Sequence, residues 1–369
     1  MNPAARCLFV TRKYPPRVGG METLAAATAR ALESHYELTV FCLGRSQRHL
    51  IWWLPWTAAR TRKAVRRASR EGRPIEAIVF GDALTYCALR PFLGRKIPDH
   101  LVMVMGLDLT FRFAPYKRVL RRVLPRAPRV VAISRTTADE ALARGVAAER
   151  LRVVTPGVLD PESWPARTSE SADQLRRRLG VDADASIVIT VGRLVPRKGV
   201  KWFLEHVFSR LPDNVVYVIA GSGPDEAAIR DAVRALGAPG ARVLQLGRVD
   251  DDLRAALYTG ADLFVMPNMP IGGDMEGFGL VAMEAATAGV LVVASDLEGI
   301  RDAVLEGETG VLCPPGDADR FVERISELLG DAPERTRLAE RFAANARAAS
   351  GIERMGADLL AALSARSSS

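Results

Sequence analysis

Nowhere in the 369 residues is there an apolar run near the roughly 18 that a bilayer-crossing helix requires. The first short run, Cys7-Leu8-Phe9-Val10, is too brief for the apolar core of a secretory leader and reads as a first β-strand. Cysteine is scarce: Cys7, Cys42, Cys87 and Cys313 are scattered without a CxxC pair. That pattern excludes a disulfide framework and fits reduced, buried thiols in the cytoplasm. The four histidines, His35, His49, His100 and His206, lack metal-ligand spacing. A GxSxG elbow is missing, as is any catalytic-cysteine context. Gly221-Ser222-Gly223 begins like a dinucleotide fingerprint, but Pro224 and Asp225 interrupt it and it reads as a turn. Asp182-Ala183-Asp184 and Asp317-Ala318-Asp319 spell DxD in polar loops ahead of helices, where aspartate serves as a cap. No metal site is expected.

What the chain does contain is 48% hydrophobic and 25% charged residues, the balance of an ordinary globular protein. Its length exceeds one hydrophobic core, so two domains are expected. Apolar runs alternate with helix-length segments. In the first half the strand candidates are 7–11, 38–43, 77–81, 101–105, 130–134 and 152–154; in the second they are 187–191, 215–220, 243–246, 263–267 and 291–294. Parallel neighbours need long crossovers, so this alternation predicts an α/β protein with parallel sheets. Pro156, Gly157, Pro161, Pro165 and a Ser/Thr/Glu cluster break the pattern. The expected organisation is therefore two Rossmann-like doubly wound domains facing a cleft, 1–165 and 166–350, followed by a helix and tail over 351–369. In such sheets ligands bind beyond the carboxyl ends of the strands.

Three motifs fall at strand ends. Gly19-Gly20 precedes a helix, where close backbone approach and unpaired N–H groups suit a phosphate. Gly192-Arg193 closes a strand, with Lys198 five residues on; a forked guanidinium and a mobile ammonium suit a diphosphate. The third is Glu276-Gly277-Phe278-Gly279-Leu280-Val281-Ala282-Met283-Glu284. If helix begins at once, the carboxylates share a face about 12 Å apart. That is too far for the paired acid and base of a glycosidase, whose carboxyls stand roughly 5 to 9.5 Å apart. Each glutamate is expected to bond a different part of one long ligand.

Together these motifs resemble the signature of the retaining family 4 glycosyltransferases, of which the E-x7-E segment is the most distinctive mark. The likeness runs through both halves, to Gly310-Val311-Leu312 and Gly316-Asp317. It implies the GT-B fold: an N-terminal acceptor domain, a C-terminal nucleotide-sugar domain, and a last helix packing back on the first domain. By the same resemblance Arg193, Lys198 and Glu276 would be catalytic. Arg193 and Lys198 would grip the diphosphate, Glu276 the sugar hydroxyls with the N–H groups of Phe278 and Gly279, and Glu284 the ribose. Gly19, Gly20, Gly192 and Gly277 would line the donor, and Arg248-Val249 would meet the base. The implied reaction moves a hexose-type sugar to an acceptor hydroxyl with retention of configuration, needing neither metal nor cofactor beyond the nucleotide-sugar substrate. Many members carry a histidine before Gly-x-Asp after the fourth strand, whereas this chain has Met105-Gly106-Leu107-Asp108. A contact to the sugar's outer hydroxyl is thereby lost, which would suit a 6-deoxy donor unless backbone groups take it over.

The net charge of +8 is concentrated in the first half. Trp52, Trp53 and Trp56 lead into a run with Arg60, Arg62, Lys63, Arg66, Arg67 and Arg70, and 111–129 holds Arg112, Lys117, Arg118, Arg121, Arg122, Arg126 and Arg129 with no acid. Tryptophan beside a basic helix predicts a peripheral patch on an anionic membrane, at the cytoplasmic face, with a glycan or lipid-linked acceptor. No nucleic-acid motif is visible. Competing readings are a sugar-nucleotide epimerase or phosphorylase on the same fold, and a basic membrane- or nucleic-acid-binding protein without transfer activity.

Overall fold

The computed structural model describes residues 5–17, 19–43, 50–94, 97–159, 161 and 164–364. The chain forms two compact units. The first comprises Met1–Leu159, Gly273–Phe278 and Ser350–Ser369, and the second Asp160–Gly272 and Gly279–Ala349.

The first unit is built from β1 (Arg6–Thr11), α1 (Gly20–Glu33), β2 (Glu37–Cys42), α2 (Leu50–Arg70), β3 (Ile75–Phe80), α3 (Ala83–Leu89), β4 (Asp99–Val104), α4 (Leu107–Thr110), α5 (Ala114–Val123), β5 (Arg129–Ala132), α6 (Arg135–Leu142) and β6 (Leu151–Val153). Its strands pair in the order β2-β1-β3-β4-β5-β6, all parallel. The inner strands are buried almost throughout, as expected when helices cover both faces of a parallel sheet.

The second unit contains α7 (Ser169–Leu179), β7 (Ser186–Val191), α8 (Val200–His206), β8 (Val215–Ala220), α9 (Glu226–Ala235), β9 (Val243–Gly247), α10 (Asp251–Gly260), β10 (Leu263–Met266), α11 (Leu280–Ala288), β11 (Leu291–Ser295), α12 (Ile300–Ala303), β12 (Val311–Cys313), α13 (Ala318–Gly330) and α14 (Ala332–Ala349). Its parallel order is β12-β11-β10-β7-β8-β9. Counted within the unit this is the doubly wound order 3-2-1-4-5-6, whose direction reverses between β7 and β10, where ligands bind. A buried aspartate ties the sheet to its helices: Asp262 accepts from the Ile187 N–H at 2.8 Å and from Arg335 at 3.1 Å.

The last helix, α15 (Ile352–Ser364), belongs to the first unit and packs on α1, where Gly356 meets the Ala31 carbonyl, with Met355 and Leu359 buried along the same helix. The Val158 N–H bonds the Ser350 carbonyl at 2.9 Å, and Arg354 donates to the Thr155 carbonyl at 2.8 Å. The short stretch 273–278 also returns to the first unit, although it lies far along the sequence.

Candidate functional site

Beside the switch point of the second sheet, along the carboxyl ends of β7, β8 and β9, three loops are knitted together by backbone hydrogen bonds. After β7, the Gly192 N–H bonds the Ala220 carbonyl at 2.9 Å and the Leu194 N–H bonds that of Ser222 at 3.0 Å; the Gly221 N–H reaches the Gly247 carbonyl at 2.7 Å. Gly221 has no alternative here, since a Cβ would overlap the Gly192 carbonyl oxygen. The segment read from sequence as a plain turn therefore sets the path of the Gly192-Arg193 loop. Arg193 emerges exposed at the end of β7, and Lys198 is half-buried in the 3-10 turn Pro196–Lys198 that leads into α8. The Met269 N–H reaches the Arg197 carbonyl at 2.9 Å, joining the loop after β10 to this turn. Arg248 is exposed and Val249 half-buried beyond β9.

Glu276 and Glu284 do not share a helix. α11 starts at Leu280, capped by Gly279 in the left-handed region at φ 96°, so Glu276 lies ahead of it in the first unit and Glu284 within it in the second. The 12 Å helical separation expected from the sequence is thus replaced. Glu284, half-buried, accepts the Tyr258 hydroxyl on Oε2 at 3.3 Å. Burial raises its carboxyl above the usual range, while Arg254 and the Tyr258 hydroxyl draw it part of the way back. Neither partner was singled out in the sequence.

In the first unit Gly19 caps α1, and its carbonyl accepts the Thr23 N–H at 2.9 Å. Gly20 opens the helix, and the buried Glu22 beside them takes Lys13 Nζ at 3.2 Å. Arg12 bonds Asp82 at 3.1 Å, and Asp82 caps α3 by accepting from the Thr85 N–H at 2.9 Å. These four charged residues were missed by the sequence reading; the signal was the place of Arg12, Lys13 and Asp82 just after β1 and β3, and of Glu22 in the first turn of α1. Asp108 is almost fully buried, and its two oxygens accept the Met105 and Ala83 N–H groups at 2.9 and 2.8 Å. Burial, then the nearby Asp82, pushes its carboxyl up to about 6. Asp108 therefore braces the loops after β3 and β4. Met105 is buried, and Gly106, at φ 98°, faces Met275 and Gly277. Gly277 itself must lack a side chain, because a Cβ would overlap the Met105 carbonyl oxygen. Thr137 Oγ1 donates to the Gly277 carbonyl at 3.4 Å. Phe278 is buried at the end of this segment.

The basic surface differs in part from the sequence expectation. Trp53 is 7% exposed and donates Nε1 to the Cys42 carbonyl at 3.2 Å, so it belongs to the core rather than to a surface patch. The Trp52 side chain lies outside the described residues. Trp56 is 55% exposed, with the Arg60 guanidinium 5.0 Å from its ring centre. Arg62, Lys63 and Arg66 are exposed and line an open depression along α2 with Arg67 and Arg70. On α5, Lys117, Arg118, Arg121 and Arg122 face outward around the buried Leu120. Exposed Leu107, Phe111, Phe113 and Val119 accompany them, apolar residues that the sequence reading did not single out. No helix of the described residues is long and apolar enough to cross a membrane. Among the described residues no group of three or more metal-ligating side chains gathers.

Comparison with known proteins agrees with this architecture. The sequence model of Glycosyltransferase Family 4 matches residues 18–160, and that of Glycosyl transferases group 1 matches 171–348. The chain is 29% identical over 350 residues to the GDP-mannose-dependent alpha-(1-6)-phosphatidylinositol monomannoside mannosyltransferase of Mycolicibacterium smegmatis, covering 88% of this chain and 89% of that one. It is 33% identical over 207 residues to the D-inositol 3-phosphate glycosyltransferase of Corynebacterium glutamicum, covering 54% of this chain and 48% of the relative. Among solved structures it resembles Anabaena HepE in complex with UDP, with a TM-score of 0.77, 21% identity and coverage of 97% and 99%. It also resembles the sucrose-phosphate synthase of Thermosynechococcus elongatus, with a TM-score of 0.77, 20% identity and coverage of 96% and 98%. These structural likenesses carry the two-domain GT-B fold.

Proposed function

Because the chain belongs to glycosyltransferase family 4, we propose that this nucleotide-sugar glycosyltransferase moves mannose or a close relative from a GDP-sugar to a lipid-linked glycan acceptor, with retention and without a metal. The observation that carries the proposal is the exposed Arg193 at the switch point of the second sheet, with Lys198 on the following turn. Two cations at the carboxyl edge of a doubly wound sheet match a leaving nucleoside diphosphate. Glu284 is assigned to the ribose, Arg248 and Val249 to the base, and Glu276 to the sugar hydroxyls. Gly19, Gly20, Gly192, Gly277, Phe278 and Gly279 supply backbone to the donor. The acceptor hydroxyl attacks the anomeric carbon as its bond to the diphosphate breaks. The proton passes to a phosphate oxygen of the departing nucleotide, so no protein base is required, and the cations stabilise the developing charge.

Guanine and mannose are supported by the name of the mycobacterial relative, as is a phosphoinositide acceptor. The exposed Phe111 and Phe113 beside the cations of α5, with Trp56 and the basic face of α2, support peripheral attachment to an anionic membrane. The test is incubation of the protein with GDP-mannose, UDP-glucose and a phosphatidylinositol mannoside in the presence of a chelator, followed by NMR of the product. Transfer from GDP-mannose with an α linkage is expected; a β linkage, or dependence on added metal, would refute the mechanism. Replacement of the usual histidine by Met105 predicts that GDP-rhamnose, the 6-deoxy form, is used better than GDP-mannose. Equal turnover of the two removes that refinement.

A further inference from the structure

We propose that Tyr258 and Arg254 are positioning residues that aim Glu284, and through it set recognition of the donor's ribose. The inference rests on the ribose-binding reading of Glu284. Both residues lie on α10, four positions apart and hence on one face of the helix. That face serves Glu284 on α11: the Tyr258 hydroxyl donates to Oε2 at 3.3 Å, and the Arg254 charge acts on the same carboxylate. Tyr258 has no exposed surface, and its ring is wedged edge-on against Trp164 at 5.5 Å and Phe264 at 6.1 Å. It has no room to swing away. Arg254 is held in turn by Asp251 at 3.0 Å, with its guanidinium 5.6 Å from the Trp164 ring.

An ionised carboxylate offers about four lone-pair directions. Tyr258 occupies one on Oε2, which fixes the plane of the group and leaves the others for two neighbouring hydroxyls. A vicinal diol such as that of ribose can donate to two of these remaining sites at once, a single hydroxyl fills only one, and a phosphate is repelled by the charge. Arg254, one turn before Tyr258 on the same face of α10, brings a positive charge to bear on that carboxylate and favours its acceptor-only form, while burial works against it.

The experiment compares binding of GDP and UDP, and of the 2′,3′-dideoxy form of the better ligand, to wild type, Glu284→Gln, Tyr258→Phe and Arg254→Gln by titration calorimetry. Wild type should prefer the ribonucleotide by about tenfold or more, and Glu284→Gln should abolish most of that preference. Tyr258→Phe, which keeps the buried ring, should lower the preference by roughly three- to tenfold while leaving dideoxynucleotide affinity unchanged. Arg254→Gln should shift it in the same direction. If wild type binds neither nucleotide or does not discriminate, the reading of Glu284 is wrong and this inference falls with it. If Glu284→Gln behaves as expected but Tyr258→Phe keeps the full preference, or weakens both ligands equally, the positioning role alone is overturned.

Discussion

Replacing Gly277 by alanine should separate catalysis from nucleotide binding. The added carbon would overlap the Met105 carbonyl oxygen and stand 3.2 Å from the Met105 carbonyl carbon and 3.3 Å from Ile133 Cδ1. Backbone on one side and a packed isoleucine on the other leave no flexible group to yield. The segment 273–278 must therefore lift from the loop after β4, at a cost of about 1 to 3 kcal/mol for overpacking. The hydrogen bond from Thr137 to the Gly277 carbonyl, already 3.4 Å long, would be lost. Glu276, the adjacent residue, moves with the segment, and a displacement of about 1 Å at a reacting group can cost on the order of 100-fold in rate. The groups assigned to the diphosphate and ribose, Arg193, Lys198 and Glu284, all belong to the second unit, so nucleotide binding is expected to be spared. The assay is steady-state transfer from GDP-mannose beside GDP titration of the same samples. We expect kcat to fall by roughly 100-fold with GDP affinity within about twofold of wild type. A Gly277→Ala protein with wild-type kcat would refute the reasoning that this segment's seat positions Glu276.

Lys198→Ala should slow transfer by about 100- to 1000-fold, with a smaller change in donor KM, because its charge matters most as the diphosphate departs. Asp108→Asn leaves one of two buried N–H donors facing an amide NH2, and should cost about 1 to 3 kcal/mol in thermal unfolding. The wild-type carboxyl sits near 6, above its unfolded value of 3.8, so the folded state binds the proton more tightly. Its contribution to stability is full below about pH 4 and declines as pH rises through 6, by about 3 kcal/mol in total. The advantage of wild type over Asp108→Asn should accordingly be larger at pH 4.5 than at pH 7; an unchanged difference contradicts the assignment. Changing Lys117, Arg118, Arg121 and Arg122 together to glutamine should weaken flotation with phosphatidylserine vesicles by 100-fold or more, at about 1 kcal/mol per cation. Wild-type flotation by that variant would show the α5 surface to be merely solvated.

The parallel sheets were legible because strands covered on both faces read as apolar runs, and all eleven strand candidates are strands. β12 escaped notice, having three residues and only a flanking glycine to mark it. The sharper errors concern faces rather than elements. Trp53, Thr57 and Thr61 repeat every four residues and are buried together, whereas Trp56 lies about 100° around α2 from the centre of that stripe and is exposed. That periodicity was available in the sequence, but proximity to arginines suggested a surface. The exposure of Phe111 and Phe113, at the short α4 to α5 connection, carried no such periodic signal. The return of 273–278 to the first unit could not be read locally, because its glycine contacts Met105 across more than 150 residues of chain. Tyr258 and Arg254 were equally hidden, their role depending on which face of α10 meets α11.

The most direct test of the account is the thermal stabilisation of wild type and Arg193→Ala by GDP at about 100 times the wild-type dissociation constant. Binding at that excess adds about 2.7 kcal/mol to the folded state. The account predicts a clear rise in Tm for wild type that is largely lost in Arg193→Ala; equal stabilisation of the two proteins, or none of either, would contradict a diphosphate site at the switch point of the second sheet.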